Sequence, residues 1–249
     1  MPKYAIGIVG QPRSFHQTNV YTNILAATKR IRKDADVFFC FGDQYIPDYL
    51  TDKILVDNFK PVSIERYSSY KNNPGNHHCS YDNHGLFMAR GWLTLYHQIL
   101  EQEEKNKEQY SIIIKLRPDV ILGSYFYDGL KIDSIEPCVY SDYVRDLFGT
   151  RPEVNDISAI MNRQAMKSYL HDFYYDTYDK DAFHGCWADH PEVRLAWTLT
   201  DKSVNVGMAT FKETIVRQYG NQTKDKLLPI EITQTNADLY KWWLKKNRN

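Results

Sequence analysis

The sequence predicts an α/β chain, with a mostly parallel central sheet flanked by helices and a smaller mixed region toward the C-terminus. Three observations carry this. Short β-branched runs of buried-strand length alternate with segments whose apolar residues recur at helical spacing. The strongest run, YSIIIKL at residues 110–116, is nearly continuous in apolar side chains, as suits a central parallel strand covered on both faces. The chain has 249 residues, 43% of them hydrophobic, with no internal repeat, low-complexity segment or Pro/Gly/Ser linker. That size and continuity suit one domain over residues 1–249 with its own core.

Each element has its own warrant. Residues 3–9 (KYAIGIV) are β-branched and end at Gly10, which predicts a buried first strand followed by a loop to Phe15. Over residues 19–33, Ile24, Ala27, Thr28 and Ile31 recur at helical spacing. Residues 36–41 (DVFFCF) predict a second buried strand stopped by Gly42-Asp43, and residues 62–67 (VSIERY) a third. Residues 68–83 are rich in Asn, His, Gly and Pro and predict a long loop, a kind often functional. Leu86, Ala89, Leu93, Tyr96 and Leu100 mark one face of a long helix ending in the charged run 101–108. Beyond the 110–116 strand, further strands are expected at 137–141, 157–161, 203–208 and 214–219. Helices are expected at 164–175, at 191–200 with Pro191 in the first turn, and at 237–246.

Charge narrows the function classes. Lys plus Arg and Asp plus Glu are 31 each, for a net charge of zero and a pI of about 7.1. A general nucleic-acid binder needs a basic excess, and an acidic disordered chain the opposite. No nucleic-acid partner is expected, though a local basic patch is compatible with neutrality. Cys40, Cys79, Cys138 and Cys186 form no CxxC pair, so reduced thiols are the expectation. No apolar run is long enough for a transmembrane segment, and Met1-Pro2-Lys3 leads directly into the first strand. The expected location is cytoplasmic. The tail 239–246 (LYKWWLKK) is read either as a peripheral membrane contact or, better, as Trp and Leu packed on the domain.

Ligands of open α/β sheets sit at the carboxyl ends of the strands, so the residues that follow each strand are the candidates. After the first come Gly10, Gln11 and Arg13, after the second Asp43, and after the strongest Arg117-Pro118-Asp119. A carboxylate at Asp119 can hold a hard divalent cation that bridges phosphate oxygens, with Arg117 forking onto a phosphate. The competing reading is an Arg–Asp pair closing the strand end. The loop at Gly10 lets backbone approach a nucleotide, but it is neither a P-loop nor a dinucleotide fingerprint. Asn155-Asp156 suits an acceptor hydroxyl or donor sugar, or is simply a turn. Glu192, opening a helix after His190-Pro191, is either a general base or a residue complementing the helix dipole. His77, His78, Cys79 and His84 match no common zinc spacing and read as loop residues.

Four stretches in order carry a resemblance: IVGQPRSF (8–15), YSIIIKLRPDVIL (110–122), VNDISAIMNRQAMKSY (154–169) and HPEVRLAWTL (190–199). Together they resemble small GT-A-type glycosyltransferases of bacteria and large DNA viruses. The resemblance implies a GT-A-like, Rossmann-like fold, a UDP-sugar as donor and co-substrate, a divalent cation (Mn²⁺ or Mg²⁺), and transfer to a hydroxyl of an oligosaccharide or other glycan acceptor. Gly10, Gln11, Arg13, Asp43 and Arg117 would bind the donor. The Asp-x-Asp metal motif of such enzymes stands here as Arg117-x-Asp119, so Asp119 would meet the metal. Glu192 matches the catalytic base of inverting members, with Asp156 as a second catalytic candidate. The loop 68–83 would close over the donor or shape the acceptor site. Two other classes stay open: phosphoryl or sulfuryl transfer with the Arg13 loop as anion cradle, against which the missing P-loop counts, and a non-catalytic glycan-binding protein on the same fold.

Overall fold

The computed structural model describes residues 3–12, 14–15, 17–42, 54–67, 82–123, 136–141, 144–147, 151–176, 191–208, 214–217 and 220–221. The expected helix at 237–246 lies outside them, as do residues 68–81 of the expected long loop.

The first half winds outward from one strand. β1 (Tyr4–Gly10) leads through α1 (Thr18–Ala27) and α2 (Lys29–Arg32) to β2 (Ala35–Gly42), and a π-helical turn at Leu55–Phe59 precedes β3 (Ser63–Tyr67). The helix expected over 19–33 is broken at Thr28, whose hydroxyl donates back to the Ile24 carbonyl at 2.7 Å. Such a back-bond competes with the helix ladder and bends it. The chain then returns through the long helix α3 (Asp82–Asn106) to β4 (Ile112–Leu116) on the other side of β1.

The second half extends the sheet beyond β4. β5 (Val120–Ile121), β6 (Cys138–Ser141), the hairpin β7 (Val144–Leu147) and β8 (Arg151–Val154), and β9 (Ala159–Asn162) follow in order. Then come α4 (Arg163–Met166), a π-helical stretch at Lys167–Asp172, α5 (Pro191–Asp201), β10 (Asn205–Met208), β11 (Thr214–Arg217) and β12 (Gly220–Asn221).

Seven strands form one sheet in the order β10-β6-β9-β4-β1-β2-β3. All pairs are parallel except those of β9, which runs antiparallel to both β4 and β6. The expected α/β class with a mostly parallel sheet is what forms. The late region departs from expectation in detail. The 157–161 run enters the sheet only at Ala159, and β11 pairs with β5 and β12 in a small antiparallel sheet. The β7–β8 hairpin and the two-residue β5 have no counterpart in the sequence reading.

Alternation along the strands sorts side chains to two faces. Ala5, Val9, Phe38, Cys40, Ile113 and Met161 meet Trp92, Leu95 and Ile99 of α3, Tyr169, and Leu195 and Leu199 of α5. Ile6, Ile8, Phe39, Phe41, Ile114 and Ile160 meet Val20, Ile24, Leu55 and Phe59. Phe15, fully buried, ties the loop after β1 to that second face, with ring centroids 5.7 Å from Phe39 and 5.6 Å from Phe41. α3 closes on the first face so tightly that a Cβ on Gly7 of β1 would stand 2.3 Å from Leu95 Cδ2. At its C-terminal end, buried Glu103 takes a guanidinium fork from Arg163 (2.9 Å to each oxygen) and the Tyr110 N–H at 3.0 Å.

Candidate functional site

Because β4, β1 and β2 are parallel neighbours, their carboxyl ends lie side by side. The chain builds β1, β2 and β3 outward, then returns through α3 on the opposite face to lay β4 against β1. The strand order therefore reverses between β1 and β4, where open α/β sheets leave a crevice for ligands.

Gly10 ends β1 with φ 138°, a conformation glycine adopts and other residues rarely do, and a Cβ there would stand 3.2 Å from Pro118 Cδ. The loop after β1 therefore lies against the turn after β4. Gln11 follows, and its amide packs against the end of β2. A Cβ on Gly42 would stand 2.6 Å from Gln11 Nε2 and 2.5 Å from Phe87 Cζ. Among the described residues, Gln11 Oε1 is buried with no hydrogen-bond partner.

Arg117 and Asp119 form a side-on pair: Nε donates to Oδ1 at 2.9 Å and Nη2 to Oδ2 at 2.8 Å. The Asp119 side chain is 1% exposed and that of Arg117 23%. Of the sequence's two readings, this geometry is the Arg–Asp pair. The turn is anchored beyond Asp119 by a reciprocal amide pair, Asn23 Nδ2 to the Leu122 carbonyl at 3.0 Å and the Leu122 N–H to Asn23 Oδ1 at 2.7 Å.

A divalent cation takes six or more oxygen ligands. The described residues do not fit one at Asp119. Both carboxylate oxygens are in the guanidinium fork, and no group of three His, Cys, Asp or Glu side chains is placed to share a metal among the described residues.

On the far side of β4, the segment before β9 reaches the same edge because β9 runs antiparallel. Three bonds fix it. Ser141 Oγ donates to the Asn155 carbonyl at 2.9 Å, and Asn155 Oδ1 accepts the Ile157 N–H at 2.9 Å. Lys115 Nζ donates to the carbonyls of Asp156 and Ile157, the latter at 3.2 Å. Lys115 is fully buried in β4, its ammonium 4.3 Å from the Trp92 ring centroid. Sequence reasoning counted it as one more residue of an apolar run. The segment holds the half-buried Asp156 at the edge, and beside it the buried Ser158 Oγ has no hydrogen-bond partner.

Glu192 lies in the first turn of α5. Helix α5 turns through residues 202–204 straight into β10, which is parallel to β6. It therefore runs back along the sheet, and its first turn lies at the carboxyl edge. Gly10, Gln11, Arg117, Asp119, Asp156 and Glu192 thus share one edge. Arg13 and Asp43 lie outside the described residues, as do His77, His78 and Cys79. Cys40 and Cys138 are buried thiols without a disulfide. Burial pushes both up in pKa, most for Cys40, where the Glu65 charge adds to it. Neither is poised as a nucleophile. No helix among the described residues is long and apolar enough to cross a membrane.

No protein-family model and no curated protein matches the chain. Several solved structures are similar to it. The apo form of the glycosyltransferase GlyE from Streptococcus pneumoniae TIGR4 is 12% identical, with a TM-score of 0.42 over 83% of this chain and 45% of GlyE. The chain thus spans less than half the length of GlyE. The galactosyltransferase LgtC, in complex with donor and acceptor sugar analogues, is 12% identical, with a TM-score of 0.43 over 82% of this chain and 72% of LgtC. The inositol-1-phosphate CTP transferase of T. maritima is 9% identical, with a TM-score of 0.44 over 100% of this chain and 97% of its own.

Proposed function

We propose that the carboxyl edge of the sheet binds a nucleotide-activated sugar, a UDP-sugar, and that the chain transfers the sugar to a hydroxyl of a glycan acceptor. The observation that carries this is the meeting of Gly10-Gln11 with Arg117-Asp119 where the strand order reverses, between β1 and β4. A donor of this class needs a close backbone approach, a polar group for the base and a fixed cation for the diphosphate. Gly10, the Gln11 amide and Arg117 supply these at one place.

The chemistry divides the edge into two halves. On the β1–β2 side, Gln11 and Arg117 hold the nucleotide, with Arg13 and Asp43 as further contacts. On the β9–α5 side, Asp156 and Glu192 face the acceptor. The acceptor oxygen attacks the anomeric carbon and its proton passes to a carboxylate, for which Glu192 is the base. The bond from the anomeric carbon to the diphosphate oxygen breaks, and the nucleoside diphosphate leaves with that electron pair. Displacement from the opposite side inverts the anomeric centre. Arg117, held in advance by buried Asp119, meets the charge that develops on the leaving oxygen.

Calorimetric titration with UDP, GDP and ADP tests the donor half, and release of UDP from a panel of UDP-sugars tests the reaction. UDP is expected to bind tightest, and Glu192→Gln to keep that binding while losing turnover. A chain that binds no nucleotide refutes the reading and leaves a glycan-binding protein in its place.

A further inference from the structure

We infer that the donor diphosphate is met by the Arg117 guanidinium itself, so that nucleotide binding at this edge needs no divalent cation. This rests on the nucleotide-sugar reading above. The resemblance that brings a cation to mind assigns it to a carboxylate facing the ligand. Here the order of the two charges is the reverse. The carboxylate of Asp119 is the buried member of the pair, at 1% exposure, and the guanidinium of Arg117 is the outer one, at 23%. An anion approaching the edge meets the arginine first.

The geometry within the pair points the same way. Asp119 engages Nε and Nη2. This side-on hold fixes the plane of the guanidinium before a ligand arrives, and a guanidinium so fixed suits two oxygens of a phosphate. Asp119 is thereby a positioning residue for Arg117. A dication at Asp119 would stand beside the arginine, like charge against like. A second buried cation, Lys115, lies on β4 two residues before Arg117 and adds positive potential to the same strand end. The described residues offset these two cations with no acidic cluster of the kind a metal needs.

The test is calorimetric titration of UDP into the whole chain, once with excess EDTA and once with Mn²⁺. The two dissociation constants are expected to agree within about threefold. Arg117→Met is expected to weaken binding about tenfold or more in both buffers, with Arg117→Lys in between. Asp119→Asn, which keeps the shape and one of the two acceptors, is expected to weaken binding less than Arg117→Met does. UDP binding that requires Mn²⁺ and disappears in Asp119→Asn overturns the inference and leaves the nucleotide reading standing. Absence of UDP binding in either buffer overturns both. The comparison of buffers uses the unaltered protein, so it decides the matter even where a variant does not fold.

Discussion

Replacing Lys115 by Met removes one buried positive charge and almost no volume. The ammonium donates to two carbonyls, those of Asp156 and Ile157, and lies 4.3 Å from the Trp92 ring centroid. Each carbonyl left buried without a donor costs about 1–3 kcal/mol. The lost cation–π contact adds about 2 kcal/mol in a desolvated setting. Against this, the thioether no longer pays the burial penalty of an ammonium, several kcal/mol for a charge, and it packs well on an aromatic ring. The losses outweigh the gain by about 3 kcal/mol, which for a chain of this size lowers Tm by about 6–12 °C. The segment at residues 155–158 loses the anchor that sets Asp156 at the edge, so sugar transfer falls further than stability does. Thermal unfolding followed by near-UV circular dichroism reads the first effect and UDP release the second. A Lys115→Met variant that melts at or above the parent temperature would refute the reasoning, because the ammonium would then be a tolerated charge and not an anchor.

Gly7→Ala forces a methyl against Leu95 and is expected to cost about 1–3 kcal/mol in urea unfolding. Because the clash is with one side chain, Gly7→Ala combined with Leu95→Ala should be less destabilised than the sum of the two single changes. Arg163→Met strands the Glu103 carboxylate, 7% exposed, and is expected to cost about 3–5 kcal/mol, with Glu103→Gln in the same background recovering part of it. Tyr110, whose hydroxyl is bonded to Asp36, has its pKa raised above the ordinary value of 10.0, first by burial and then by that hydrogen bond and the Asp36 charge. The folded state therefore holds this proton more tightly than the unfolded one. Its contribution is complete below pH 10 and declines as pH rises beyond it, so the alkaline limb of a stability–pH curve should flatten in Tyr110→Phe.

The strands and helices that position the site were legible because their signals are local. Residues 36–41 and 110–116 carry buried β-branched and aromatic runs, and Pro191 with its apolar face marks α5. What escaped depends on partners distant in sequence. The 157–161 run begins its strand two residues late because Lys115 and Asn155 hold the preceding residues in a turn. β5 is two residues long and exists only by pairing with β11. At the site, the spacing of Arg117 and Asp119 was legible, but their roles depend on which of the two is buried. Lys115 gave no signal at all. In YSIIIKL it reads as one more residue of a nearly continuous apolar run, and the two carbonyls it meets and the Trp92 ring beside it belong to segments distant in sequence.

One reversed strand has a further consequence. β6 ends at Ser141 on the carboxyl edge, and β9 begins at Ala159 on the same edge, because it alone runs against its neighbours. The described residues between them, the β7–β8 hairpin included, lie outside the seven-stranded sheet and lead back to it at that edge. Val154, at the end of the hairpin, is buried in the first-face core, so replacing the excursion ahead of Val154 leaves the pairing of the seven-stranded sheet untouched. The half of the edge built from β1, β2 and β4 has no such slack. Under the proposed function, a lineage using this architecture is free to change the acceptor while the grip on the donor stays as it was.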